Sequence, residues 1–262
     1  MTRVVSGAIL IVLAVAVVWF APPMVFFAIA EFLLVLAFQE YAALARTAGL
    51  PVPAIPASIA AMLTCAALVP ALQVPFDVVL MTAFVTLAAL TLTVWKGGSR
   101  DALGLAAASL FPSLYLGLPI GAMIAVREIR GRDALFLLML TVVISDTAQY
   151  YSGRAFGRRP LAPAISPKKT IEGALGGLLF GVVGLIVAGS WWLPEVPTWL
   201  RAALGAMIVA LGIAGDLFES MLKRSAGMKD SSGLIPGHGG VLDRIDALLF
   251  AAPIYYVVLK YV

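Results

Sequence analysis

Charge is what this chain has least of. Asp, Glu, Lys and Arg make up only 12% of its 262 residues, and hydrophobic residues 62%, against about 25% and roughly 45–50% in soluble domains. So little polar surface cannot cover a water-soluble globule, which excludes a simple soluble enzyme, a disordered chain and a disulfide-stapled secreted domain. The solvent this composition suits is a bilayer. A single cysteine, Cys65, sits in an apolar stretch, so neither a disulfide nor a thiolate metal site can be built within one chain, and a small core residue is the expected role. Internal repeats are also lacking, which leaves an inverted-repeat transporter without support. The excess of 18 Lys and Arg over 14 Asp and Glu suits anionic lipid or phosphate partners, but loops obeying the positive-inside rule give the same sign. No nucleic-acid partner is expected.

What is present in quantity is long apolar runs. A hydrocarbon core of about 30 Å takes about 20 residues of helix, and runs of that order predict an all-α, polytopic membrane protein with about nine transmembrane helices and polar cytoplasm-facing loops. They cover residues 4–20, 22–45, 54–72, 76–95, 102–126, 134–153, 172–193, 200–222 and 245–261. The first follows Arg3 like a signal peptide, but Trp19-Phe20-Ala21-Pro22-Pro23 reads as an interfacial end, so a retained helix is expected. Counting Lys and Arg by alternate loops favours an inside N terminus, with the cluster Arg127, Arg130 and Arg132 as an exception. Whatever the count, residues 154–171 and 223–244 are separated by two spans and are expected on one face. Gly173, Gly176, Gly177, Gly181 and Gly184 permit close helix contact, and such faces also allow a homodimer.

Polar residues divide the chain. Residues 1–126 read as an N-terminal bundle for lipid entry or subunit packing, and 127–262 as a catalytic region. Acidic groups inside apolar helices are costly and usually face a partner, a cavity or an ion. Asp146 and Tyr150 share a helix face, and Asp146 reads either as a partner of Arg154 or as a carboxylate lining a polar cavity. A flexible basic loop then leads through Arg154, Arg158 and Arg159 into Ser166-Pro167-Lys168-Lys169-Thr170-Ile171-Glu172-Gly173. Ammonium groups, hydroxyls and N–H donors at a helix start suit phosphates, although a bare positive-inside loop is the plainer reading and the spacing is not that of a Walker A loop.

Further on, Asp216, Glu219, Ser220 and Lys223 fall at i, i+3, i+4 and i+7, one helical face that reads either as a salt-bridge ladder or as a cation-binding wall ending in a phosphate-facing lysine. A loop rich in Gly, Pro and Ser follows, holding Lys229, Asp230 and the single histidine, His238, between Gly237 and Gly239. Such a histidine suits a structural role or close approach to a ligand. Asp243 and Asp246 open the last helix; capping explains one of them. Both together with Asp216 make three hard oxygen donors, the chemistry expected of Mg²⁺ with a phosphate substrate.

From Ser220 to Asp246 the chain reads S-x-L-K-R, K-D, I-P, then H-G-G-V-L-D-R-I-D. This stretch resembles the signature of the phosphatidate cytidylyltransferase family, the CDP-diacylglycerol synthases. Asp146-Thr147 through Tyr150 to Gly153-Arg154, and Ser166-Pro167-Lys168-Lys169-Thr170 with Glu172-Gly173, extend the likeness over the C-terminal half. Gln149 stands where a small residue is expected and Ile171 where Trp is frequent, both read as outside the chemistry.

The resemblance implies transfer of CMP from CTP to phosphatidic acid in phospholipid biosynthesis, with release of pyrophosphate, at the cytoplasmic face of a bacterial inner membrane. It implies Mg²⁺, with a second cation such as K⁺ also conceivable, on Asp216, Asp243 and Asp246. Lys223 and Arg224 join those aspartates as the catalytic set. Asp146, Ser166, Lys168, Lys169, Thr170, Glu172, Ser220, Lys229, Asp230, His238 and Arg244 form the substrate-binding set. The competing readings are a CTP-dependent lipid-alcohol kinase or related lipid cytidylyltransferase and, more remotely, a transporter or a structural scaffold.

Overall fold

The computed structural model describes residues 2–94, 102–235, 237 and 239–262. Helices dominate: α1 (Thr2–Phe20), α2 (Pro23–Thr47), α3 (Ala54–Ala67), α4 (Phe76–Val94), α5 (Ala102–Pro112), α6 (Leu118–Phe156), α7 (Ile171–Trp192), α8 (Thr198–Ser225) and α9 (Leu242–Tyr261). Prolines set several boundaries. Pro23 opens α2 and Pro53 caps α3, positions where a missing N–H costs no intrahelical bond. At Pro112 the helix passes into a π-helical stretch, Ser113–Gly117, before α6 resumes; a proline cannot donate to the ladder, and the wider turn accommodates that loss.

The break expected between the fifth and sixth spans, at 127–133, is present. α6 consists of two helical stretches that meet at a kink at Gly131, which is non-helical and whose φ of 85° is open to glycine and costly for other residues. Its flanking arginines close helix ends. Arg127 donates to the carbonyls of Val18 and Ala21 at the end of α1 and lies over the Phe26 ring, while Arg130 donates to Leu259 near the end of α9. Cations at helix C-termini complement unpaired carbonyls and the negative end of the dipole. Two of the three arginines in the charge-count exception therefore close helix ends.

Between α6 and α7 the expected flexible loop is a two-stranded antiparallel hairpin, β1 (Pro160–Ala162) and β2 (Ser166–Thr170), pairing Pro160 with Thr170 and Ala162 with Ser166. The carboxylate of Glu172 accepts the N–H groups of Arg158 and Arg159, and Ile171 N–H donates to Arg159. These bonds satisfy backbone groups that a flexible loop would leave to water.

The chain forms two compact units, residues 1–128 with 222–244, and residues 129–221 with 245–262. In the first, α3 packs on α2, α4 and the π stretch. Tyr41 donates to the Ala108 carbonyl, and Phe111 stacks on Tyr115. In the second, Tyr255 is fully buried and donates to the Ala134 carbonyl. α7 buries Gly173, Gly177, Gly181, Leu185 and Gly189, a face of mostly small residues that meets Gln149 and Ser145 of α6, Val209 of α8 and Arg201. Its other side exposes Leu175, Leu179, Phe180, Val183 and Val187. Small residues inward and large apolar ones outward is the arrangement of a helix packed in lipid.

Among the described residues, Pro23–Thr47, Ala102–Phe156, Ile171–Trp192 and Thr198–Ser225 are long and apolar enough to cross a membrane, with shorter apolar helices beside them. The chain is an integral membrane protein.

Candidate active site

In the first unit, Lys223 near the end of α8 is ion-paired with Asp243 on the first turn of α9. Both are nearly sealed from solvent, with side chains 11% and 6% exposed. The second oxygen of Asp243 accepts Ser231 N–H at 3.0 Å, Ser231 Oγ at 2.8 Å and Gly240 N–H at 2.8 Å. The last of these reaches back three residues, as the acidic member of a capping box does. Capping and ion pairing thus fall on one carboxylate; the sequence reading offered capping or a metal ligand for it and did not foresee the ion pair.

A residue the sequence reading missed completes this cluster. Glu40 of α2, 5% exposed, accepts Ser232 Oγ at 2.7 Å and Val241 N–H at 2.9 Å on one oxygen; Ser231 Oγ at 2.9 Å and Leu242 N–H at 2.8 Å meet the other. Its signal was an acid within the apolar run 22–45, where an ionisable group demands a partner. Gly240 is required here for space: a Cβ would overlap Ser231 Oγ and both Glu40 oxygens. Ile235 N–H donates to the Gly239 carbonyl and closes the loop tip. Arg224 donates to the Met228 carbonyl at 3.1 Å and is exposed, as are Lys229, Asp230 and Arg244. His238 lies outside the described residues.

In the second unit, Lys169 of β2 is ion-paired with Asp216 of α8, and Ser220 stands 3.5 Å from the other Asp216 oxygen. This pair is more open, with side chains 22% and 35% exposed. Successive strand residues point to opposite faces, so Lys168, which is exposed, diverges from Lys169. Ser166 starts the strand and is half-buried. Thr170 caps α7 by accepting Gly173 N–H at 3.1 Å, and Glu172 holds the hairpin base as described above. Asp146 is exposed on α6 and accepts Gln149 Nε2 at 3.0 Å. Gln149 therefore touches a candidate residue directly, contrary to its reading from sequence. Arg154 donates to Tyr150 at 3.3 Å. Asp246 accepts the Ala247 N–H at 2.8 Å, and its own carbonyl lies 2.5 Å from where a Cβ on Gly215 would sit, so α8 and α9 touch backbone to backbone.

On α8, Glu219 is fully buried and Lys223 nearly so, while Asp216 and Ser220 are half-buried. The polar stripe therefore faces protein more than lipid. Asp216, Asp243 and Asp246 offer hard oxygen donors of the kind Mg²⁺ takes, and no three acidic, His or Cys side chains gather as a ligand cluster among the described residues.

Comparison with known proteins finds relatives of the chain among cytidylyltransferases. Curated proteins named phosphatidate cytidylyltransferase are similar to the chain: 38% identity over 154 residues in Mycobacterium bovis, covering 58% of this chain and 50% of the relative. The Aquifex aeolicus protein is 39% identical over 151 residues, covering 58% and 56%. That of Pseudomonas aeruginosa is 45% identical over 126 residues, covering 48% and 46%. The chain spans about half the length of the curated relatives it matches. The family model described as the cytidylyltransferase family matches residues 1–262, and the chain belongs to that family.

Proposed function

We propose that the protein transfers CMP from CTP to phosphatidic acid, forming CDP-diacylglycerol and pyrophosphate. The observation that carries this reading is α8, a single helix bearing a lysine-paired carboxylate at Asp216 and, seven residues on, the Asp243-paired Lys223. Such groups bind and orient phosphates; they do not supply a nucleophile. A phosphatidate oxygen is already ionised at neutral pH, so it can attack the α-phosphorus of CTP in line without a protein base. Lys169, Lys223, Arg224 and Lys229 would neutralise triphosphate and headgroup charge. Ser166, Thr170, Ser220 and His238 would donate hydrogen bonds, with Asp146, Lys168, Glu172, Asp230 and Arg244 lining the approach. Mg²⁺ on Asp216, Asp243 and Asp246, with a second cation such as K⁺ beside it, would disperse the charge of the leaving pyrophosphate.

The diacyl substrate stays in a leaflet while CTP is dissolved in water, so the reaction belongs at an interface. Nine crossings with an inside N terminus, in a bacterial inner membrane, would give the signature loop that cytoplasmic interface; a homodimer would use faces other than the α7 glycines, which pack against α6 and α8. Detergent-purified protein given phosphatidic acid, Mg²⁺ and CTP labelled in the cytosine ring and the γ-phosphate tests the reading. Ring label in lipid with γ label in pyrophosphate is the expected result. γ label in lipid from a supplied lipid alcohol, without cytidine, would identify a kinase instead, and no transfer beside an active control would reopen the transporter reading.

A further inference from the structure

We infer that Glu40 is a positioning residue, clamping the Ser231–Gly240 loop and the start of α9 so that Asp243 and Lys223 are held in one arrangement. The inference rests on the cytidylyl-transfer reading. Glu40 comes from the apolar N-terminal half, yet its carboxylate accepts from the signature segment: two serine hydroxyls and two backbone N–H groups. The N–H donors, Val241 and Leu242, are at the start of α9, where unpaired donors and the helix dipole favour an anion. Ser231 joins the two carboxylates of the cluster, since its Oγ lies 2.9 Å from Glu40 and 2.8 Å from Asp243. One hydroxyl proton serves one of them at a time. The loop is consequently gripped at both ends, Ser231 and Ser232 on one side and Gly240, Val241 and Leu242 on the other.

Glu40→Gln isolates this role because shape and length are kept. Each Glu40 oxygen accepts one backbone N–H, so whichever oxygen becomes NH₂ must face a donor with a donor. A small displacement of groups that orient phosphates lowers turnover more than binding. In Glu40→Gln we expect kcat to fall about 10- to 100-fold, with KM for CTP and phosphatidate within about threefold and the thermal midpoint within a few degrees. Glu40→Asp keeps the charge but shortens the reach and is expected to fall as far. Loop order is read independently from a nitroxide on Leu234→Cys in a Cys65→Ala background; Leu234 is 54% exposed, and Glu40→Gln should mobilise it.

Unchanged kcat would overturn the inference, as would activity lost only in proportion to unfolded protein. Should the parent chain make no CDP-diacylglycerol, the transfer reading fails by itself, and the nitroxide then decides the clamp: mobilised in Glu40→Gln upholds it, an unchanged spectrum overturns it.

Discussion

Two lysine–aspartate pairs among the described residues have the same chemistry in opposite settings. Lys223–Asp243 is nearly sealed, and Asp243 also takes three further donors from Ser231 and Gly240. Lys169–Asp216 is partly open to solvent, with a long contact from Ser220. A buried pair is costly to break and weakly exchangeable, whereas a half-exposed one gives up its partner readily. The first pair is thus held in one arrangement before substrate arrives, while the second can rearrange to meet an incoming phosphate or cation.

The comparison can be broken most forcefully at Asp243. Asp243→Asn removes the partner of a buried Lys223, and should cost about 3–5 kcal/mol of stability, read as a lowered thermal midpoint together with loss of turnover. Asp216→Asn is the contrasting variant. Its expected stability cost is under about 1 kcal/mol, while turnover falls about 100-fold and Mg²⁺ half-saturation rises. Equal destabilisation by the two variants would erase the distinction between the pairs.

Gly240→Ala sharpens the sealed side further, since its methyl group would enter space held by Ser231 and Glu40; about 1–3 kcal/mol is expected from chemical denaturation. The smallest effect is on the open side. Thr170→Ala removes the cap of α7 and should lower stability by about 1 kcal/mol, with a modest rise in KM for CTP as the readout of a loosened hairpin.

Local pattern carried much of this into the sequence. The stripe Asp216, Glu219, Ser220 and Lys223 was legible because helical periodicity fixes which residues share a face, and the helical segments followed from apolar runs bounded by proline. Three features were not legible, each for a physical reason. Glu40 joins residues far along the chain, and no local period encodes such a pairing. Hairpin 160–170 is short and holds Pro160, Pro163 and Pro167, so its strands give no alternating signal. Arg127 and Arg130 entered the charge count as loop residues, although their side chains close helix ends. Gln149 shows the same limit within the site, since a departure from the family pattern proved to be a hydrogen-bond partner of Asp146.

The most direct test of the account is the stereochemical course at the α-phosphorus, measured with CTP made chiral there by a single sulfur substitution and with phosphatidic acid as acceptor. The account predicts CDP-diacylglycerol formed with inversion, the outcome of one in-line displacement by the lipid phosphate with no protein nucleophile. Retention, which requires a covalent nucleotidyl-enzyme and two displacements, or the absence of cytidine from the lipid, would contradict it.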